Sequence, residues 1–182
     1  SRSGYTGEDG FEISIPAEGA VALTETLCAS AEVQPIGLGA RDSLRLEAGL
    51  CLYGHDIDGT TSPVEANLAW AIGKARREKG NFPGAQRILK ELSEGPSRLR
   101  VGIRPLTRAP AREGTEIFDH KEKKIGVITS GGFGPSVNAP VAMGYVKTEF
   151  AKAGTKLGLN VRGHMLPAEA AELPFAPHRY KR

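Results

Sequence analysis

The sequence predicts an α+β fold, in which a mixed part with helices and strands precedes an antiparallel β-sandwich or small barrel. Two observations predict it. Up to Gly95-Pro96, apolar residues recur at both helical and strand spacing. After that dipeptide, short alternating stretches follow one another between Gly, Pro and Asn turns, which is typical of antiparallel β-structure. We therefore expect two structural units, with a boundary between about Gly80 and Ser97.

The first part opens with a predicted strand. Phe11, Ile13 and Ile15 alternate with polar residues, Glu12 among them, over residues 8–15. This alternation predicts a half-buried strand whose apolar side chains face a core. Glu12 then lies on the opposite, polar face.

Helices are predicted next. Apolar residues at helical spacing indicate one helix over residues 18–30 and another over residues 40–48. On the second helix Arg41 and Arg45 lie four residues apart, so their guanidinium groups should point the same way. A third helix is predicted to start in the run SPVE at 62–65, which offers a capping serine, a proline at the first helical position and a glutamate that closes a capping box.

The second part carries the predicted strands. Apolar residues alternate over 99–103 and 125–129, and further short strands are expected over 141–147 and 155–161. Residues 107–123 carry little recognisable pattern. Several short strands at such spacing favour an antiparallel sandwich or small barrel.

The composition excludes several functional classes. The 182 residues are 40% hydrophobic and 25% charged, which is ordinary for a globular protein. No run approaches the roughly 18 apolar residues that a membrane span requires. The formal charge of +3 is too small for a nucleic-acid footprint. We therefore expect neither a membrane nor a nucleic acid as partner.

The positive charge is concentrated in three short segments, residues 74–79, 121–124 and 179–182. None of them has interleaved aromatic residues in the pattern of a nucleic-acid-binding motif. The segments predict a solvated face or a surface for an acidic protein or a polyanionic ligand.

Metal and cysteine chemistry have little support. His55, Asp56 and Asp58 could each bind a metal, but a polar turn has the same spacing and no partner cluster occurs elsewhere, so no metal is expected. Cys28 and Cys51 fit neither a disulfide framework nor a zinc site, and we expect two buried free thiols. No nucleophile, base and orienting group can be assembled from the sequence pattern.

Three runs together resemble the aminomethyltransferases of the glycine cleavage system: SRSGYTGEDGFE at 1–12, GARDSLRLEAGL at 39–50 and SPVE at 62–65. The run CLYGHDID at 51–58 narrows the resemblance, because relatives that oxidise dimethylglycine or sarcosine, and a folate-binding iron-sulfur repair protein, share the first two runs only in looser form. The later run KIGVITSGG at 124–132 looks like the family's carboxy-terminal barrel.

The resemblance implies a domain organisation. Residues 1–61 would be the end of a first, folate-binding α/β domain, 62–96 a helical connector and 97–182 a small antiparallel β-barrel domain. The chain opens on Ser1 without a methionine, so we expect a piece of a longer protein. The family's catalytic aspartate belongs to the missing part. No residue here is therefore nominated as catalytic, and the piece alone is expected to be inactive.

The resemblance also implies the reaction and the partners. The family transfers the methylene of an aminomethyl group, carried on the lipoyl arm of H-protein, to tetrahydrofolate, and ammonia is released. Tetrahydrofolate is a co-substrate and no metal is implied. The compartment would be the cytoplasm in a bacterium and the mitochondrial matrix in a eukaryote. The alternatives are a non-catalytic folate-binding repair protein and the carboxy-terminal module of a dimethylglycine- or sarcosine-oxidising enzyme.

Three folate-binding residues follow from the resemblance. Glu12 would accept hydrogen bonds from the amine and ring N–H of the pterin edge, and Arg41 would pair with a folate oxygen or glutamyl carboxylate. Tyr180, in the closing run PFAPHRY, matches a third binding position. We expect Glu12 and Arg41 to converge on one cavity.

Overall fold

The structure is a computed structural model that describes residues 1–181. Helices lie in the first half of this part of the chain: α1 (Ala20–Cys28), α2 (Leu38–Glu47), α3 (Lys74–Lys79) and α4 (Ala85–Glu94). Short 3-10 turns occur at Ala17–Gly19, Ala69–Ala71 and Thr148–Phe150. The helices predicted over residues 18–30 and 40–48 are confirmed as α1 and α2.

Six strands form a closed antiparallel barrel in the second half: β1 (Arg98–Pro105), β2 (Glu116–Phe118), β3 (Lys124–Gly134), β4 (Ala139–Lys147), β5 (Lys156–Val161) and β6 (His164–Ala171). Around the barrel the order is β1-β4-β3-β2-β5-β6, and β1 pairs with both β4 and β6. The predicted α+β class is confirmed, and the second part is a barrel, not a sandwich.

The core lies inside the barrel. Its fully buried side chains come from all six strands and include Ile103, Ile117, Ile128, Val146 and Leu159. They are the inward-facing members of the alternating stretches, which is why periodicity identified most of these strands. A smaller cluster of Leu46 from α2 with Val141 and Met143 from β4 packs α2 against the outside of the barrel.

The strand predicted over residues 8–15 does not form. Glu8 makes only an isolated bridge with Arg179, and Phe11 and Ile13 are 72% and 57% exposed. A strand needs a neighbour for its N–H and C=O groups and a surface for its apolar face. The described residues offer residues 8–15 no sheet to join, so the apolar alternation remains on the surface.

The third predicted helix stops after one turn. Its capping box is present, because Glu65 N–H donates to Ser62 Oγ over 3.0 Å and Ser62 N–H donates to Glu65 Oε2 over 3.1 Å. Asn67, however, has a φ of 58°, in the left-handed region, and ends the turn. The Glu65 carboxylate also pairs with Arg87 and Arg98, which commits this turn to contacts with α4 and β1.

The two cysteines are free thiols, but only Cys51 is partly buried, while Cys28 at the end of α1 is exposed. The prediction of two buried thiols is therefore wrong for Cys28, because α1 buries none of its residues against the rest of the described chain. No helix of residues 1–181 is long and apolar enough to cross a membrane.

Candidate functional site

A cavity of about 620 Å³ opens between α2, the loop that follows it and strand β3. Helix α2 contributes Arg41 and Arg45 to its wall, and Tyr5 closes one side. The remaining lining residues come from three segments: Leu38, Gly39 and Asp42; Leu52 and His55; and Arg112, Glu113, Thr129, Ser130 and Gly131. The cavity therefore lies where the first part of the chain meets the barrel.

A buried ion pair forms the floor of this cavity. Arg45 Nη1 lies 2.8 Å from Asp56 Oδ2 and donates to Ser130 Oγ over 3.0 Å. Asp56 is only 1% exposed. It also accepts hydrogen bonds from Leu52 N–H over 2.9 Å, from Ser130 Oγ over 2.8 Å and from Thr129 Oγ1 over 2.5 Å. These partners compensate the loss of hydration of the carboxylate and fix α2 against β3.

Sequence reasoning missed this role of Asp56 and Arg45. The partners of Asp56 on β3 lie more than 70 positions away in the chain, so the run HDID looked only like a polar turn. Asp58 does make such a turn, since its carboxylate accepts from Thr60 and Thr61 and these hydrogen bonds, with the Thr60 hydroxyl first, lower its pKa. Within residues 1–181 no three His, Cys, Asp or Glu side chains come together as a metal site.

Glu47 on α2 is a second buried carboxylate that holds the barrel. Its Oε1 accepts from the N–H groups of Ser136 and Val137 over 2.8 and 3.0 Å, and its Oε2 accepts from Ser136 Oγ over 2.9 Å. Its carbonyl oxygen accepts from the N–H groups of Phe175 and Ala176. One residue therefore ties the β3–β4 turn and the tail to α2. The signal available in the sequence is that Glu47 lies three residues after Leu44 and directly before Ala48, beside the apolar stripe of α2.

Arg41 lies on the cavity wall over an aromatic ring. Its guanidinium carbon is 4.5 Å from the centre of the Tyr5 ring, a cation–π contact. The Tyr5 hydroxyl donates to the carbonyl oxygen of Cys51, and burial raises the pKa of Tyr5. Among the described residues, no carboxylate pairs with Arg41.

The mouth of the cavity carries a second set of charges. His55 Nδ1 lies 2.7 Å from Glu113 Oε2, and Arg112 Nη1 donates to the carbonyl oxygen of Gly131 over 3.2 Å. The β3 backbone is close here, because a Cβ atom at Gly131 would overlap the carbonyl oxygen of Ala111. Only glycine lets the loop that carries Arg112 approach β3 so closely.

The other two predicted residues lie elsewhere. Glu12 is exposed and is not among the residues that line the 620 Å³ cavity; its Oε2 accepts from Ser3 Oγ over 3.0 Å. Tyr180 lines a separate cavity of about 310 Å³ with Ser3 and Gly10, and its ring lies 5.1 Å from that of His178. Glu12 thus connects through Ser3 to the cavity of Tyr180. The predicted convergence of Glu12 and Arg41 on one cavity is not observed, because the strand that was to present Glu12 does not form.

Comparisons with known proteins agree with this architecture. Residues 1–76 match the family described as the GCVT N-terminal domain, and residues 98–176 match the glycine cleavage T-protein C-terminal barrel domain. The chain is 53% identical over 182 residues to a probable mitochondrial aminomethyltransferase of Schizosaccharomyces pombe, covering 100% of this chain and 46% of the relative. It is 51% identical over 182 residues to the mitochondrial aminomethyltransferase of Flaveria anomala, and the match covers 99% of this chain and 44% of the relative.

A solved structure gives the same result. The crystal structure of the glycine cleavage system aminomethyltransferase T from Bartonella henselae matches with a TM-score of 0.96 and 52% identity, over 100% of this chain and 50% of that chain. The chain thus spans about half the length of the relatives that it matches. These names do not favour the repair-protein or oxidase-module alternatives.

Proposed function

Since the chain belongs to the glycine cleavage T-protein family, we propose that it forms the carboxy-terminal half of a tetrahydrofolate-dependent aminomethyltransferase. In this reaction the aminomethyl group on the lipoyl sulfur of H-protein passes its carbon to tetrahydrofolate. The carbon–sulfur bond and the carbon–nitrogen bond to the amino group break, and two bonds to folate N5 and N10 form. Ammonia and dihydrolipoyl H-protein leave.

The observation that carries the proposal is the state of Arg41. It is a cation on the wall of a 620 Å³ cavity, stacked on Tyr5 and paired with no carboxylate of the described chain. A guanidinium in this setting can form a bidentate pair with a ligand carboxylate, such as that of the glutamyl group of folate. Tetrahydrofolate is accordingly the proposed co-substrate.

Glu12 and Tyr180 are proposed as further folate-binding residues. The Glu12 carboxylate accepts one hydrogen bond from Ser3 at Oε2, and no cation of residues 1–181 forms a salt bridge with it. A pterin edge presents an exocyclic amine beside a ring N–H, and a carboxylate can accept from both. Tyr180 borders the neighbouring cavity of about 310 Å³, which leaves room for part of a ligand near Ser3.

The chain's own contribution to the reaction is proposed to be positioning. No catalytic residue is assigned to it, and the alignment of the folate amines with the aminomethyl carbon supplies the rate enhancement that proximity gives. The proposed partner is the lipoylated H-protein. The exposed basic helix α3, residues 74–79, is a candidate docking surface for an acidic partner. The compartment is proposed to be the mitochondrial matrix in a eukaryote or the cytoplasm in a bacterium.

Calorimetric titration of the full-length protein with tetrahydrofolate tests this function. Arg41→Ala should weaken binding about tenfold through loss of a charge-assisted pair. Glu12→Gln should weaken it by a similar factor, because an amide has one acceptor oxygen where two donors must be met. Arg108→Ala is the matched control, because Arg108 is exposed on the loop after β1 and does not line the cavity. Wild-type affinity in both site variants would reject the assignment of these residues, and no binding by the wild type would reject the function.

A further inference from the structure

Two of the arginines at this cavity have no carboxylate partner among the described residues. Besides Tyr5, the cavity's ionisable lining residues are Arg41, Asp42, Arg45, His55, Arg112 and Glu113. Arg45 pairs with Asp42 over 2.7 Å and with Asp56 over 2.8 Å. Glu113 pairs with His55 over 2.7 Å. Within residues 1–181 this leaves the guanidinium groups of Arg41 and Arg112 without a carboxylate partner.

Arg112 is held in place by neutral backbone only. Its Nη1 donates to the carbonyl oxygen of Gly131 over 3.2 Å, and this is its one hydrogen bond to the described residues. A Cβ atom at Gly132 would lie 3.8 Å from Nη1, so the guanidinium lies close against a stretch of β3 that has no side chains. The remaining N–H groups of Arg112 are therefore available to a ligand in the cavity.

The loop around Arg112 is fixed by buried contacts. Ala111 is fully buried in the barrel core and lies directly before Arg112. Gly114 N–H donates to the carbonyl oxygen of Ile128 over 2.9 Å, and Thr115 N–H donates to that of Arg112 over 3.1 Å. The backbone of Arg112 is thus anchored on both sides. Because the loop is already ordered, a ligand that binds this side chain has a smaller entropic cost of ordering the loop.

Buried arginines of the same chain show how a structural role differs. Arg100 is buried, and it donates to the carbonyl oxygens of Ala66 and Gly49 over 2.9 and 3.1 Å. Arg45 has two carboxylate partners. Arg112 is exposed and has one neutral hydrogen-bond partner, so its guanidinium is free of the contacts that hold Arg45 and Arg100 in the fold.

We propose that Arg112 is a second carboxylate-binding residue of this cavity and that, together with Arg41, it receives the glutamyl tail of tetrahydrofolate. This rests on the proposed function. The glutamyl group carries two carboxylates, one on Cα and one at the end of its side chain, and the cavity offers two guanidinium groups without carboxylate partners among the described residues. Arg112 comes from the barrel and Arg41 from α2, so the ligand tail would bridge the two parts of the chain.

The experiment compares two ligands that differ only in the tail. The full-length protein is titrated by calorimetry with tetrahydrofolate and with the methyl ester of tetrahydropteroate, which keeps the pterin and benzoyl groups and carries no carboxylate. Arg112→Gln should weaken tetrahydrofolate binding about tenfold, in line with loss of a charge-assisted hydrogen bond. It should leave the affinity for the methyl ester of tetrahydropteroate unchanged. Arg112→Lys, which keeps the charge but not the planar fork, should recover part of the loss. Arg108→Gln, exposed on the same loop, should change neither affinity.

The outcomes separate this proposal from the one it rests on. If the wild type binds tetrahydrofolate but Arg112→Gln behaves like Arg108→Gln, the role of Arg112 is rejected and the proposed function stands. Equal weakening of both ligands would mean a distorted cavity and would also reject it. If the wild type binds neither ligand, the proposed function fails first. Circular dichroism of each variant confirms that the fold is retained.

Discussion

Replacing Asp56 by alanine should destabilise the protein more than any substitution of an exposed carboxylate. The side chain is buried and accepts hydrogen bonds from Leu52 N–H, Thr129 Oγ1 and Ser130 Oγ. It also forms an ion pair with Arg45. Removing one partner of a buried pair costs about 3–5 kcal/mol, because the other charge remains desolvated. Arg45 keeps a contact with the more exposed Asp42, so the lower end, about 3 kcal/mol, is expected.

Equilibrium unfolding in urea measures this cost. The midpoint should fall for Asp56→Ala while the slope of the free energy with urea stays constant. Asp58→Ala is the control, because Asp58 lies two residues away and caps only a local turn at Thr60 and Thr61. Two results would show that the ion pair does not hold α2 to the barrel. One is a free energy of unfolding of Asp56→Ala within about 1 kcal/mol of the wild-type value. The other is a urea midpoint of Asp56→Ala no lower than that of Asp58→Ala.

Glu65, Glu47 and α3 give three further expectations. Burial raises the pKa of Glu65, but hydrogen bonds from Arg98 and a backbone N–H, with nearby arginine charge, lower it below its ordinary value. Its contribution to stability should be complete above about pH 4.3 and lost as the pH falls through the folded-state pKa, and Glu65→Gln should show a smaller loss in urea titrations at falling pH. Glu47→Gln should lower the free energy of unfolding by about 1–3 kcal/mol and speed amide exchange at Ser136. In the wild type the two carboxylate oxygens accept three hydrogen bonds, and the amide of glutamine has only one acceptor oxygen. Neutralising Lys74, Arg76 and Lys79 of α3 should slow association with H-protein mainly at low ionic strength.

Each of these has a control and a contrary result. Glu116→Gln removes an exposed carboxylate of the barrel and should leave both the acid unfolding and the exchange at Ser136 unchanged. An acid-unfolding curve of Glu65→Gln that overlays the wild type, or wild-type exchange at Ser136 in Glu47→Gln, would contradict the two stability expectations. In α3, Arg77 is left intact because it donates to the carbonyl oxygens of Ala69 and Ile72. An association rate that is unchanged at every salt concentration would leave α3 as a solvated face.

Local patterns in the sequence predicted the elements that depend on local rules. Helix α2 follows from apolar spacing, and β1, β3, β4 and β5 follow from alternation, because each has one face in the barrel core. Strand β2 has only three residues, Glu116–Phe118, and is too short for a period to be detected. In β6, His164–Ala171, a proline and alanines replace the β-branched residues that usually mark a strand.

The same patterns failed where a distant partner decides the outcome. Residues 8–15 alternate as a strand does, but the chain offers them no sheet, and a period alone does not reveal a missing neighbour. Asp56 lies in a run that looks like a polar turn, and its partner Ser130 lies far along the chain. Arg41 was expected in a binding cavity and lines one, whereas Glu12 does not share that cavity. The binding roles of Arg41, Glu12 and Tyr180 remain predictions.

Helix α2 is fastened to the barrel at two points, through Arg45 to β3 and through Glu47 to the β3–β4 turn. Arg41 is on the same helix, so a ligand that pairs with Arg41 acts on a rigid body that includes the barrel wall. Binding energy gained in the cavity then adds to the resistance of the whole barrel to heat and proteases. A ligand at 100 times its dissociation constant contributes about 2.7 kcal/mol in this way. By the same linkage, Asp56→Ala should weaken binding at Arg41 as far as it loosens α2 from β3.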